Sequence, residues 1–421
     1  MTPTPDLIRR ALDALPDAPT HLFVAYSGGL DSLALLQLTA EFAQSHSLPI
    51  TALHVHHGLS DQADDWVQHC QQHAMRLQLP LDVEYLEFDA RQNLEARARH
   101  ARYAFFERHL NQSGHVLLMG HHQQDQAETL ILRLMRSAGL EGLSGIPEKR
   151  RLGHGWLVRP LLNQTKASLQ HWLEQQSLSW IEDESNQSLA HDRNFIRHQI
   201  LPRLESRFPK SQQRLAQSAH WLADSRSVMH EWLEEDLQHC LLRPHCLSIP
   251  QLKRYSPARW RHLLHYYLQR QKAPILPYKR WEAVSQLLAA RPDAMPEVQW
   301  GHYAMRRYRD QLWIAPWHHF APLPEGWTQD WDGHPPLHTP VGAFTAERLT
   351  VESSQETALL PGNYRATKRQ GGEHIWIPHR GHVELKQWYQ EKGVPPWERQ
   401  RRPLIWSQDQ LIAVGSPLNE P

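Results

Sequence analysis

The ten residues Phe23-Val24-Ala25-Tyr26-Ser27-Gly28-Gly29-Leu30-Asp31-Ser32 constrain this chain more than any other stretch. An apolar, strand-like run ends in Ser27-Gly28-Gly29, and a helix-like run, Leu33 to Gln44, follows at once. The glycines tolerate positive φ, so the backbone can turn sharply and aim several N–H groups one way. A concave row of donors at a helix N-terminus suits a phosphate. Ser27 and Ser32 add hydroxyls. Asp31 would repel a phosphate unless it holds a hard cation such as Mg2+, which takes oxygen ligands and bridges to phosphate. The stretch is not a Walker A loop, which needs G-x-x-x-x-G-K-[ST]. The first lysine of the chain is Lys149, so metal and arginine must neutralise any phosphate held here.

Strand-like and helix-like runs alternate after the loop. Leu22–Tyr26, Ile50–His56, Leu81–Phe88 and Val116–Met119 read as strands, with helical stretches near Ala63–Leu77, Leu94–Leu110 and Gln126–Arg136. This order predicts a doubly wound, mostly parallel α/β sheet whose ligands lie beyond the carboxyl ends of its strands. Three stretches sit there: the glycine loop, His54–Gly58 and Gly120–Asp125. In the last, His121, Asp125 and Glu128 recur at i, i+4 and i+7, one face of a helix that starts early. Arg193 and Arg197 are spaced for one face of a later helix, and paired guanidinium donors suit phosphate.

The pattern changes near Ser211. A long helix, Gln212 to His239, is followed by Arg243–Trp281, which holds nine Lys/Arg and no Asp or Glu, interleaved with Tyr255, Trp260, Tyr266, Tyr267, Tyr278 and Trp281. Basic residues among aromatics fit RNA, by phosphate contact and base stacking. Pro316–Pro340 reads as an irregular connection. Short strand-like runs follow, including Arg348–Val351, Ile375–Ile377 and Leu411–Val414, with a helix at Lys386–Lys392. Residues 361–402 carry nine Lys/Arg against four Glu. The expected domains are 1–215 (nucleotide-binding, catalytic), 216–320 (helical, tRNA-binding) and 321–421 (mixed α/β, tRNA-binding). Whole-chain charge is silent, because 45 Lys+Arg balance 45 Asp+Glu. Cys70, Cys240 and Cys246 form no C-x-x-C pair, which argues against a disulfide scaffold or a paired-cysteine metal site. No apolar run approaches membrane-spanning length and no signal-peptide core opens the chain, so a cytoplasmic protein is expected, with neither membrane nor DNA as partner.

The strand, Ser-Gly-Gly-x-Asp-Ser and helix together resemble the PP-loop of the ATP pyrophosphatases. With His54–Gly58, Asn93–Arg99, Arg102-Tyr103, the His121-His122 segment, Ser137–Leu143, Arg159–Leu162 and Asp192–Arg197, the chain resembles the tRNA(Ile)-lysidine synthetase family. It departs at Gln124, where the family usually has an aspartate before Asp125. The resemblance implies a ligase using ATP and Mg2+ to join L-lysine to C2 of the wobble cytidine of tRNA(Ile) with a CAU anticodon. Ala25, Ser27, Gly28, Gly29, Leu30, Asp31, Ser32 and His54 would border ATP, with Asp31 on the metal. Asp31, His121, Asp125, Glu128, Arg193 and Arg197 would form the reactive centre. Asp125 and Glu128 would grip the lysine ammonium or order that centre, and the two arginines would reach AMP phosphate or the tRNA backbone. Three alternatives share parts of this pattern. A PP-loop tRNA thiolase would need a placed cysteine, and Cys70 lies in a predicted helix. A non-catalytic RNA-binding protein has no use for an intact loop. A glutamine-hydrolysing amide synthetase needs an N-terminal cysteine, where residue 2 is threonine.

Overall fold

The structure, a computed structural model, describes residues 2–58, 62–86, 94–183, 187–348, 361–377 and 380–418. Asn93, and residues 349–351 of the strand expected at Arg348–Val351, lie outside them. In chain order the first part runs α1 (Asp6–Asp13), β1 (His21–Ala25), α2 (Leu30–His46), β2 (Ile50–His56), α3 (Ala63–Arg76), β3 (Leu81–Tyr85), α4 (Leu94–His109), β4 (His115–Leu118), α5 (Gln123–Met135), α6 (Leu140–Leu143), β5 (Lys149–Leu152), β6 (Gly155–Val158), α7 (Lys166–Gln175) and α8 (Asp192–Phe195). A π-helical turn, Ile196–Ile200, joins α8 to α9 (Leu201–Arg207).

The sheet has the order β3-β2-β1-β4-β6-β5. All pairings are parallel except that of the edge strand β5 with β6. Side-chain alternation along β1 shows both faces covered. Leu22 and Val24 enter a core with Ile8 of α1, Leu33 and Leu36 of α2, Cys70 of α3 and Leu169 of α7. Phe23 points the other way, to Phe105 and Phe106 of α4 with Leu53, Leu117 and Leu157. Each such buried aliphatic or aromatic side chain contributes about 1.5–3 kcal/mol. This is the doubly wound α/β arrangement expected from the alternation of runs. The hairpin β5–β6 was not legible, because Lys149-Arg150-Arg151-Leu152 is an edge strand whose polar side chains show no alternating apolar face. Strand order reverses between β1 and β4, and the crevice beyond their carboxyl ends is where such sheets bind ligands.

Contacts divide the chain into two units, residues 1–229 and 230–421, with the dividing point inside α10 (Ser211–Cys240). The second unit continues through β7 (Leu241–Arg243), β8 (Cys246–Ser248), α11 (Ile249–Leu252), α12 (Pro257–Arg270), α13 (Trp281–Ala289), β9 (Glu297–Trp300), β10 (Tyr303–Tyr308) and β11 (Gln311–Pro316). The helical region therefore also carries a five-stranded antiparallel sheet, β7-β8-β11-β10-β9. Then come β12 (Thr328–Trp331), β13 (Leu337–Thr339), β14 (Gly342–Arg348), β15 (Tyr364–Thr367), β16 (His374–Ile377), β17 (Gly381–Glu384), α14 (Leu385–Glu391), α15 (Pro396–Arg401), β18 (Leu404–Ser407) and β19 (Gln410–Pro417). The expected connection at 316–340 thus contains β12 and β13. The expected boundary at 320 falls within a shared core, since Trp397 of α15 packs edge-on against Trp313 and Phe320 at centroid separations of 6.1 and 5.7 Å. Aromatic pairs in this geometry stabilise beyond their buried area.

The basic stretch 243–281 draws its counter-ions from α10. Arg259 Nε donates to Asp236 Oδ2 (2.7 Å), and Arg270 pairs with Glu234. Trp260 and Tyr267 are core residues, whereas Tyr278 is 90% exposed. No helix among the described residues is long and apolar enough to cross a membrane.

Candidate active site

β1 delivers the chain to the crevice, and the glycines turn it. Gly28 has φ +86°, and a Cβ there would lie 2.3 Å from Ile181 Cδ1, so only glycine fits without strain. Gly29 is extended and caps α2. The loop is braced from outside by the Ile181 N–H, which donates to the Gly28 carbonyl (3.0 Å). Within it, the Ser27 N–H donates to Ser32 Oγ (3.2 Å) and Ser32 Oγ donates to the Gly29 carbonyl (2.9 Å). The first-turn amides of α2 have no intrahelical partner by geometry, and the helix dipole adds positive potential there. The result is a preformed anion cradle.

Asp31 stands at its rim. Its Oδ1 is buried with no well-formed hydrogen bond, and lies 3.4 Å from His122 Nε2. No cluster of three or more potential ligand side chains occurs among the described residues. A buried carboxylate oxygen without a well-formed hydrogen bond, beside a phosphate cradle, fits Mg2+, which binds through one or two carboxylates plus substrate phosphates.

The opposite wall grows from β4. After Gly120, His122 caps α5: the Gln124 N–H donates to His122 Nδ1 (3.2 Å), and the His122 N–H donates to Asp125 Oδ2 (2.8 Å). Burial disfavours the His122 cation, but Asp31, Asp125 and Glu128 outweigh it and raise its pKa. Burial likewise opposes the Asp125 anion, yet His122, Arg193 and His121 hold its pKa below the ordinary carboxylate value. Glu128 is fully buried. Its Oε1 accepts from Arg197 Nε (2.6 Å) and Gln124 Nε2 (3.1 Å). Its Oε2 accepts from Arg193 Nε (2.7 Å) and Arg197 Nη2 (3.0 Å). Arg193 Nη2 also donates to Asp125 Oδ1 (2.6 Å). Arg193 leaves α8, and Arg197 leaves the π-helical turn that follows; such turns re-aim side chains and gather at functional sites. Both oxygens of Glu128 are thus occupied, so it orders the two arginines and has no oxygen turned to an ammonium ion.

A cavity of about 650 Å3 lies between loop and wall. Of the residues expected at the site, Ala25, Ser27, Gly29, Leu30, Asp31, Ser32, His121, Asp125, Arg193 and Arg197 line it. Gly28 faces Ile181, and Glu128 lies behind the arginines. His54 does not line the cavity: it is 4% exposed and its Nδ1–H donates to the Tyr26 carbonyl (2.9 Å), so it braces the strand end from the core.

Residues with no assigned role also line the cavity, among them His57, Arg99, Arg102, Lys166, Glu182 and Asp183. His57 is pushed down to about 4 by burial and then by Arg102. Arg99 and Arg102 were legible as parts of a motif. Lys166 and Glu182-Asp183 showed no local signal, because chain folding alone brings them to the crevice. The three thiols are buried, and burial raises Cys70 to about 12.

Family comparison matches residues 4–204 to a PP-loop domain, 247–313 to the TilS substrate binding domain and 365–417 to the TilS substrate C-terminal domain. Curated relatives carry the name tRNA(Ile)-lysidine synthase. That of Alkalilimnicola ehrlichii is 38% identical, over 99% of this chain and 94% of its own. That of Xanthomonas campestris pv. campestris is 36% identical, over 97% and 92%. That of Pseudomonas putida is 37% identical, over 95% and 93%. Among solved structures, the U34-tRNA thiolase NcsA of Methanococcus maripaludis aligns at a TM-score of 0.43 and 17% identity over 52% of this chain and 77% of that one, too distant to add to the argument.

Proposed function

The chain belongs to the tRNA(Ile)-lysidine synthase family, and on that premise we propose that it joins L-lysine to C2 of the wobble cytidine of tRNA(Ile) with a CAU anticodon. A cytosine C2 oxygen is a poor leaving group. In the first step that oxygen attacks the α-phosphorus of ATP, an O–P bond forms and pyrophosphate leaves. In the second, the lysine ε-amine attacks C2, the C–N bond forms, a proton is lost and AMP departs with the oxygen.

The loop amides and the Ser27 hydroxyl hold phosphate as charge develops on the pyrophosphate, and Ser32, bonded to the Gly29 carbonyl, fixes the loop. Ala25, Tyr26, Leu53 and Val55 form the less polar floor beside the loop and suit the adenine. Asp31 would hold Mg2+, which when bound supplies charge neutralisation on the leaving pyrophosphate. Arg193 and Arg197, fixed by Glu128, present their remaining donors to phosphate. Lysine needs carboxylates that Glu128 does not offer; Glu182 and Asp183 line the same cavity. The exposed bases Lys253, Arg261, Lys279 and Arg280 of the second unit hold the tRNA backbone.

The observation that carries this reading is the Asp31 carboxylate, its buried Oδ1 faced by the His122 ring, between a preformed phosphate cradle and a paired-arginine wall, in a chain of this family. The test follows the two half-reactions. Pyrophosphate release should require ATP and tRNA(Ile) but not lysine, and AMP release should require lysine. Pyrophosphate release that needs no tRNA, or AMP release that ignores lysine, would refute it.

A further inference from the structure

His121 and His122 are neighbours in sequence with opposite surroundings. His122 faces two carboxylates, while His121 faces a guanidinium. Arg159 Nε donates to His121 Nδ1 at 3.2 Å. An arginine has no acceptor and keeps its protons, so the direction of this bond is fixed and His121 Nδ1 must carry the lone pair. The neutral ring then bears its proton on Nε2, the one polar ring atom left for a substrate, and His121 lines the cavity.

Arg159 is unusual in itself. It is 6% exposed, and among the described residues no carboxylate pairs with it. A buried cation without a counter-ion is costly. It is held nonetheless: Nη1 donates to the Pro147 carbonyl (2.7 Å), and the Tyr103 hydroxyl faces the guanidinium and favours its charge. The topology explains the reach. β4 and β6 are parallel neighbours, so the residues just past their carboxyl ends, His121 and Arg159, stand side by side.

We propose that Arg159 is a positioning residue that locks His121 as the neutral Nε2–H tautomer, making His121 a fixed hydrogen-bond donor to a phosphoryl oxygen of the transferred adenylyl group rather than a general acid or base. The charged groups around His121 agree. Burial is the largest influence and disfavours its cation; Asp125 on α5 opposes this, while Arg159, Arg193 on α8 and Arg99 on α4 reinforce it, and the ring is pushed down to about 4.

The inference rests on the proposed reaction, so one arm of its test is independent of activity. In protein labelled with 15N-histidine, with the His121 signals identified by their absence from His121→Gln, the wild type should show an unprotonated Nδ1 and a protonated Nε2 throughout pH 6–8. Arg159→Met should lose that pattern and Arg159→Lys should keep it. A wild-type His121 that carries its proton on Nδ1, or that titrates near 6.5, overturns the lock. In the kinetic arm, His121→Ala should lower kcat for adenylation by about 10²–10³, the usual effect of removing one such donor. His121→Gln, which keeps an N–H donor, should recover all but about tenfold. Arg159→Met should lower kcat with little change in either KM and bring a new inflection in its pH profile toward 6.5, where free imidazole titrates. A His121→Gln enzyme as inactive as His121→Ala, or an Arg159→Met enzyme with the wild-type profile, overturns the donor role. Failure of the wild type to modify tRNA would sink the functional reading but leave the tautomer result standing.

Discussion

Glu128→Gln separates two roles for this residue. The side chain keeps its shape, so no cavity opens, but a carboxylate that accepts four hydrogen bonds, three of them from guanidinium groups, becomes a neutral amide. Glu128 is fully buried and Arg197 is 20% exposed, so this is a buried pair, and breaking one costs about 3–5 kcal/mol. The Arg193 share is smaller, because that side chain is 39% exposed and keeps Asp125 at 2.6 Å. A loss of about 3 kcal/mol follows for the first unit. At about 2–4 °C per kcal/mol for a unit of this size, its Tm should fall by about 6–12 °C. Scanning calorimetry of the full chain reads this directly. In the half-reaction assays, kcat should fall, with the KM values for ATP and lysine moving together, because both arginines lose their register. The double variant Glu128→Gln/Arg197→Met should cost less than the sum of the single changes. An unchanged Tm with a rise in the lysine KM alone would refute the reasoning and make Glu128 the grip on the ammonium ion.

Four further outcomes are expected. Asp31→Asn should abolish adenylation and leave the unfolding transition in place; wild-type activity with unchanged Mg2+ dependence would remove Asp31 from the metal role. Gly28→Ala, at φ +86° and 2.3 Å from Ile181 Cδ1, should destabilise by about 1–3 kcal/mol and weaken ATP binding, read by denaturant midpoint and ATP titration. His121 and His57 both sit near 4, below the ordinary 6.5, so between those values the unfolded state binds more protons. Their contribution is therefore fully present above 6.5, falls as pH drops through the window and is gone below about 4, and the slope of urea midpoint against pH should flatten in His121→Gln. If six basic side chains of the second unit meet tRNA phosphates, the log–log salt slope should be about −4 to −5, and Lys279→Gln/Arg280→Gln should reduce it by about 1.5–2 without touching ATP binding; an unchanged slope would leave both residues facing solvent.

The parts of the site that were legible in sequence are contiguous. Ser27–Ser32 announces its shape, because two glycines between a strand and a helix leave few backbone options, and the i, i+3 spacing of Asp125 and Glu128 puts both on α5, whereas His121, expected on the same helix face, lies one residue before the His122 cap. What was not legible is who neutralises whom. Arg193 and Arg197 read as a phosphate clamp, yet the Nε and Nη2 of each donate to Glu128 or Asp125, a fact set by where the π-helical turn docks on α5. Asp236 and Glu234 neutralise Arg259 and Arg270 from α10, outside the acid-free stretch whose charge looked so one-sided. The same holds for Trp397, which lies far along the chain from Trp313 and Phe320 but completes their core. Local pattern shows what a segment can present; only the fold shows what it meets. His54 makes the point from the other side: a histidine at a strand end beside the site turned inward to satisfy the Tyr26 carbonyl.

The most direct test of the proposed reaction is mass analysis of the anticodon nucleosides after incubating the protein with ATP, Mg2+, isotopically labelled lysine and tRNA(Ile) bearing a CAU anticodon. The account predicts a wobble cytidine heavier by the mass of labelled lysine less one water, with AMP and pyrophosphate formed in equal amounts and no product when Asp31→Asn replaces the wild type. A wobble cytidine left unchanged while ATP is cleaved, or one that has exchanged oxygen for sulfur, would contradict it.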